Sequence, residues 1–368
     1  MSGFRIDPKR IADKKRKPGV SGMLRVKNDA EFIEQCVESC LPALDELIIT
    51  YNDCSDNSPD IIHELCKKYP EKIKAFHFTP HIHAWNLSPE EAEQIMNGNI
   101  PPENTLAGYY NYTLSKTSHE FVMKIDTDQI YFTKKLKAVC DLYRHESKPI
   151  ALTDIITVSS VKAYLMAAIR LKRRCGLFSN KTVWKHYLKS LHRLIISKKI
   201  DVSLSGINMI AGGDAGMPLV PLGEAVPGGV NIMSPYNGEG DHQIFRVTNH
   251  TFFIPAIDKA YNELNNLRTS VIERLTGTGP ILPCGIFWCH LNACRKPIYA
   301  ATLENINSHS QAFATLDEFS GAQFFTLSKQ HRFDMSSPKK AVLFDFIHND
   351  IGKQITEQAR KINNRFIL

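Results

Sequence analysis

No apolar run in the 368 residues is long enough to cross a bilayer. The opening stretch MSGFRIDPKRIADKKRKPG has no apolar core of the kind a signal peptide carries. Both absences predict a chain that works in the cytoplasm, free or resting on the cytoplasmic face of the membrane. Regular cysteine spacing is missing too: nine cysteines fall at irregular intervals, as reduced thiols do in that compartment. Cys284, Cys289 and Cys294 recur every five residues, which is not a zinc-ligand spacing. No internal repeat is found. The sharpest absence is of acid: between Val161 and Ile200 stand eleven Lys and Arg and not one Asp or Glu, which more than accounts for the formal net charge of +7. A shorter basic run spans Lys14 to Pro18. Basic surface attracts nucleic acid, anionic lipid or phosphorylated substrates. The charge is localised and no RNA or DNA motif accompanies it, which argues against a nucleic-acid partner.

What is present is ordinary globular composition, 43% hydrophobic and 23% charged, at a length that suits one large domain or two moderate ones. Residues 1–18 read as a basic flexible arm. GVSGMLRVKND reads as a first strand, followed by a helix whose Phe32, Ile33, Cys36, Val37 and Cys40 share a face. DELIITYND is a second strand, and CSDNSP is turn chemistry, with Ser58 as cap and Pro59 as the first residue of a second helix. KIKAFHF makes a third strand, Thr105 to Lys116 a helix, and EFVMKID a strand that ends at paired aspartates. Residues 161–200 are expected to be helical, with Trp184, Tyr187, Leu188, Leu191, Leu194 and Ile195 on one face and Lys181, Lys185 and Lys189 on another. In the tail, Phe344, Ile347, Ile351, Ile355, Ala359, Ile362 and Phe366 predict one long amphipathic helix, packed on the body or on a neighbouring subunit of a homo-oligomer.

Strands alternating with helices imply an α/β fold with a mostly parallel sheet, and such sheets bind ligands beyond the carboxyl ends of their strands. TYNDCSDN and DTDQ both lie at such ends. Asn52 and Asp53 can serve there as hydrogen-bonding groups for a nucleoside, or simply as a helix-capping turn. Asp126 and Asp128 point to the same side of an extended segment. Two carboxylates about 6 Å apart repel by roughly 3 kcal/mol at an effective dielectric near 20. They either face water or share a hard cation, Mn²⁺ or Mg²⁺, that also meets a diphosphate.

Taken together, VSGMLRVKNDAEFIEQCVESCL, DELIITYNDCSDNS and YYNYTLSKTSHEFVMKIDTDQ resemble the nucleotide-binding half of GT-A glycosyltransferases, in particular the large family 2. On that resemblance Asn52, Asp53, Ser55 and Asp56 fall on the turn that holds base and ribose. Asn111 and Leu114 fall on the following helix, and Asp126 and Asp128 on the DxD metal motif. Two positions depart from the pattern: Asn52 stands where an acid is usual, and Tyr110 where an arginine is common.

The resemblance implies a GT-A, Rossmann-like sheet flanked by helices, with the nucleotide-sugar-binding half at residues 19–140. A basic helical insertion at 141–202, an acceptor-binding half at 203–330 and a C-terminal helix at 331–368 complete the expected organisation. YNGEGDHQIF resembles the family's GED element, with one glycine inserted between the acids. It offers Asp241, then Glu239, as the base of an inverting transfer, or merely acids at a helix start. FWCHLNACRKP is reminiscent of the HxxGxxKP segment of retaining GT-A enzymes, without its glycine. There His290 is a third metal ligand or a core residue, and Lys296 or Arg295 can meet a diphosphate.

The expected protein is therefore a metal-dependent hexosyltransferase. It would take a nucleotide-sugar donor, UDP-linked by family habit, and build a cell-surface polysaccharide, lipopolysaccharide or glycolipid. The basic stretch at 161–200 would meet an anionic membrane or lie as a solvated face over a packed stripe. Retaining chemistry is the nearest rival. A sugar nucleotidyltransferase is a further one, against which RVKNDAEF lacks the Gly-rich loop that holds a triphosphate.

Overall fold

Residues near the N-terminus pack rather than extend. In the computed structural model α1 (Pro8–Ala12) carries Ile11 fully buried, and Phe4 meets the rings of Phe78 at 5.2 Å and Tyr112 at 5.4 Å. The expectation of a flexible arm fails here because Phe4, Ile6 and Ile11 are apolar anchors set among the lysines. The structure describes residues 3–12, 14–170, 180–211, 218–222, 234–238, 243–261, 267–279, 281–320 and 338–366. The chain divides into two units, Met1–Thr127 with Ile244–Pro280, and Asp128–Gln243 with Ile281–Leu368.

In the first unit β1 (Lys17–Val26) is almost continuously buried, as an inner parallel strand must be. It leads through α2 (Ile33–Cys40) to β2 (Glu46–Tyr51), then α3 (Ser58–Lys68) to β3 (Ile73–His77). After α4 (Pro89–Met96), which opens with a Ser88/Glu91 capping box, α5 (Leu106–Lys116) leads to β4 (His119–Ile125). These strands run parallel in the order β3-β2-β1-β4. The Gln243–Arg246 strand pairs antiparallel with β4, and an antiparallel hairpin, Phe252–Tyr261 with Leu267–Thr276, packs over α5. Glu46, at the start of β2, ties that strand to β1 and to the start of β4 through Ser21, Ser118 and His119. Burial opposes its charge, but hydrogen bonds from His119, Ser21 and Ser118 outweigh that and hold its carboxyl down to about 2.

The second unit is built on the Leu282–His290 strand, buried almost throughout. It pairs antiparallel with β5 (Gln129–Tyr131) and parallel with β6 (Val202–Asn208). Gly206 admits Trp288: a Cβ there would lie 2.0 Å from the indole nitrogen, which instead donates to Asn237 Oδ1 at 3.1 Å. Helices α6 (Thr133–Arg144), α7 (Leu152–Arg170) and α8 (Lys181–Lys198) follow β5. Trp184 and Tyr187 of α8 pack on Phe346.

The tail is not one helix. It forms Pro338–Ile347 and Lys353–Phe366, broken at His348–Asp350. Asp350 is drawn out of helical register because its carboxylate serves Lys135, the Ile286 amide at 2.6 Å and the Trp184 indole at 3.2 Å, and Gly352 follows it. Among the described residues no helix is long and apolar enough to cross a membrane.

Candidate functional site

In the first unit the carboxyl ends of β1 and β2 are tied into one shelf. Asn28, held at φ +56°, accepts from the Ser55 amide at 2.7 Å, and Ser58 Oγ accepts from the Asp29 amide at 3.0 Å. Asp56 accepts from the amides of Ala30 and Ser58, both at 3.0 Å, so its carboxylate braces two turns and is held below its usual range. Asn52 is buried, and its amide nitrogen donates to the carbonyls of Phe78 at 2.7 Å and Pro80 at 3.0 Å. Asp53 is exposed, as are Ser55, Asp56 and Asn57 after it. It adopts φ +44°, with Lys27 at 3.8 Å and His81 at 3.4 Å from its carboxylate. Asn111 spends both of its amide groups on the backbone of Phe253, each bond 2.8 Å long.

Asp126 directly follows β4, and its carboxylate lies 3.6 Å from the guanidinium of Arg25. Arg25 also stacks over the Tyr110 ring at 3.4 Å and bonds to its hydroxyl. Burial works against that guanidinium's charge, while Tyr110, Glu273 and Asp126 sustain it above its ordinary range. Tyr110 thus seats an arginine supplied by β1, where the resemblance leads one to expect an arginine at position 110 itself. Beside it Lys124 and Glu273 form a buried ion pair at 2.8 Å.

In the second unit strand register sets a row of three polar side chains. Gln129 of β5 pairs with His290, and His290 pairs on its other side with Asn208 of β6. Asp128, one residue before β5, therefore arrives beside the end of the central strand, where its carbonyl accepts from the Leu291 amide at 2.8 Å. His290 Nε2 is 3.3 Å from Asp128 Oδ1, and Arg295 donates to Asp128 Oδ2 at 3.0 Å. Asn208 orients the imidazole. Its amide nitrogen donates to Ser234 O at 2.6 Å and Tyr236 O at 3.3 Å, which leaves Oδ1 to accept from His290 Nδ1 at 2.6 Å. Nδ1 thereby carries a proton, and Nε2 faces the Asp128 carboxylate.

Asp128 and His290 could offer a divalent cation a carboxylate oxygen and an imidazole nitrogen, in competition with the contacts they make here. Among the described residues no group of three or more His, Cys, Asp or Glu is placed to hold a metal ion. Lys296 is exposed at the start of the Lys296–Ser308 helix. Glu239 and Asp241 lie outside the described residues. Asn208 and Arg25 escaped the reading of the sequence, although a polar residue ending an otherwise buried strand, as in VSLSGIN, marks the same kind of position as DTDQ.

A family model described as beta-1,4-N-acetylgalactosaminyltransferase (CgtA) matches residues 3–168. That span covers the shelf, Arg25, Asp126 and Asp128. The chain has an α/β fold with a mostly parallel sheet flanked by helices, and the matched residues are less than half of it. Over those residues it is similar to the CgtA family in particular.

Among solved structures the chain is similar to S. aureus TarS 1-349 in complex with UDP, at 16% identity over 34% of this chain and 31% of that one, with a TM-score of 0.23. It is also similar to glucosyl-3-phosphoglycerate synthase from Mycobacterium tuberculosis in complex with Mn²⁺, UDP and phosphoglyceric acid. There the identity is 19% over 34% of this chain and 38% of that one, with a TM-score of 0.21. The chain thus spans about a third of the length of the solved structures it matches. A search of curated proteins returned no match.

Proposed function

We propose that the chain transfers an N-acetylhexosamine, N-acetylgalactosamine before others, from a UDP donor to a hydroxyl of a cell-surface saccharide or glycolipid. The observation that carries this is the match of residues 3–168 to the family model, whose description names both sugar and linkage. Sugar nucleotides of this type carry an α-linked sugar, so a β product means inversion at the anomeric carbon.

Asp53, exposed at the tip of the first-unit shelf, takes the nucleoside, while Asn52 and Asp56 hold the turn that presents it. Asp128 and His290 would hold Mn²⁺ or Mg²⁺, with Asp126 the other carboxylate of the motif. When bound, that cation offsets the charge of the departing diphosphate. Arg295 adds a planar guanidinium suited to phosphate oxygens, with Lys296 next to it at the start of a helix. The acceptor hydroxyl forms its bond to the anomeric carbon as the bond to the UDP oxygen breaks. Its proton passes to a carboxylate, Asp241 first and Glu239 second.

A retaining transfer is the second reading. It is favoured by the placement of His290 beside Asp128 in a segment reminiscent of retaining enzymes.

The test pairs ligand binding with product analysis. UDP with Mn²⁺ at 100 times Kd should stabilise the wild type by about 2.7 kcal/mol. Asp128→Ala should abolish the metal-dependent part. Incubation with UDP-N-acetylgalactosamine, UDP-N-acetylglucosamine and UDP-glucose should release UDP fastest from the first, and NMR of the product should show a β linkage. Stabilisation by no nucleotide would sink the reading. An α linkage would transfer it to the retaining class.

A further inference from the structure

Helix α7 is apolar on two sides. Val158, Val161, Leu165 and Ala168 are buried, while Leu152, Ile155, Ile156 and Met166 are 70%, 36%, 54% and 46% exposed. At 3.6 residues per turn these four fall with Ser159, Ala163 and Ala167 in one outward arc of about 120°. Arg170 is the one charge in that arc, at its end. A helix hydrophobic on both faces ordinarily has something against each, and an exposed apolar strip of this kind marks a contact surface.

The surroundings say what the contact is. From Ile155 to Ile200 the sequence has no acid and eleven Lys and Arg. Helix α8 packs beside α7 with Lys181, Lys185 and Lys189 exposed. The acid of α7 itself, Asp154, is buried, hydrogen-bonded by Ser190 at 2.8 Å and paired with Arg193 at 3.2 Å.

We infer that this face of α7 rests on an anionic lipid bilayer, with Leu152, Ile156 and Met166 among the acyl chains and the flanking lysines at the headgroup phosphates. An apolar strip beside exposed lysines is the pattern that such a surface complements. A second copy of the chain complements it less well, because it would set the exposed lysines of one copy against those of the other. Nucleic acid would leave the apolar centre facing phosphates.

The experiment is co-sedimentation of the full chain with phosphatidylcholine vesicles, with and without phosphatidylglycerol. Binding should be at least about tenfold tighter to the anionic vesicles. The combined variant Leu152→Asn, Ile156→Asn, Met166→Gln should lose it, and Lys185→Gln with Lys189→Gln should weaken it and flatten its salt dependence. UDP binding by each variant should match the wild type, which separates this inference from the donor chemistry and shows that the variants fold. Absence of pelleting, or equal pelleting on neutral and anionic vesicles, overturns the inference. So does a solution dimer that the apolar variant dissolves, which would assign the face to a second copy.

Discussion

Asn208 Oδ1 and His290 Nδ1 lie 2.6 Å apart, and this bond decides which imidazole nitrogen faces Asp128. Asn208 cannot flip without losing two carbonyl acceptors, so the strand ends keep a proton on Nδ1. Outer partners of this kind are worth about 10- to 100-fold in metal affinity. Asn208→Ala should therefore weaken Mn²⁺-dependent UDP binding by that factor and leave metal-free UDP binding unchanged. Calorimetric titration with and without Mn²⁺ reads both, and equal loss in the two would mean a general collapse of the site.

Arg295 bonds to Asp128 and, through Nε, to Asn292 Oδ1 at 3.0 Å, which holds its guanidinium plane in place. Charge-assisted hydrogen bonds contribute about 1.5–3 kcal/mol. Arg295→Ala should lower kcat/KM for the donor by roughly 10- to 100-fold. Arg295→Lys should recover little, because a point charge cannot reproduce the fork. Full activity in the lysine variant would remove the geometric part of this role.

Asn111 lies on the helix that the GT-A resemblance ties to the nucleotide, yet its amide holds the Phe253 backbone. Asn111→Ala leaves a buried N–H and a carbonyl unpaired, at a cost of about 1–3 kcal/mol each. A lower Tm with an unchanged UDP Kd is the expected result. A large rise in Kd with an unchanged Tm would return Asn111 to the nucleotide site.

Lys124 and Glu273 are both nearly inaccessible, so breaking the pair strands a buried charge. Glu273→Gln should cost about 3–5 kcal/mol. Lys124→Met combined with Glu273→Leu should recover most of it, since a matched apolar pair carries no desolvation penalty. Denaturant midpoints of the two variants test this, and a harmless single variant would contradict it.

His348 is buried against Tyr236, whose hydroxyl meets its Nδ1 at 2.6 Å. Burial first, then Lys181, pushes its pKa down to about 3. The unfolded chain keeps the ordinary value near 6.5, so between these pH values it binds a proton that the folded chain refuses. Stability is whole above pH 6.5 and falls as pH drops, by up to about 1.4 kcal/mol per unit. His348→Gln should lose that slope, as measured by denaturant midpoints from about pH 7 to about pH 4.5. An unchanged slope would place the titration elsewhere.

Local signals carried the first unit almost whole. The apolar runs of β1, β2 and β4 and the one-sided stripe of α2 follow from short-range preference and form as read, while the helix at Pro59 starts one residue early, with Asn57 and not Ser58 at its cap. The tail failed for the opposite reason. Its three- and four-residue apolar spacing continues past Ile347, and the break comes from Asp350 being taken by Lys135, Ile286 and Trp184, residues far from it in sequence. The N-terminal segment misled in the same way: its lysines are visible in composition, but the anchoring of Phe4 and Ile11 depends on Phe78 and Tyr112.

What the sequence by itself determined is the order of the strands and helices of the first unit, and the chemistry at their ends: a polar turn after β2 and paired aspartates after β4. Periodicity and turn propensity act over a few residues, and those features are that short. Only the tertiary structure decided the partners of each acid. Asp126 is set against Arg25, and Asp128 against His290 and Arg295, more than 160 positions away. Strand register does this, since pairing Gln129 with His290 and His290 with Asn208 brings together residues whose separation no local pattern encodes.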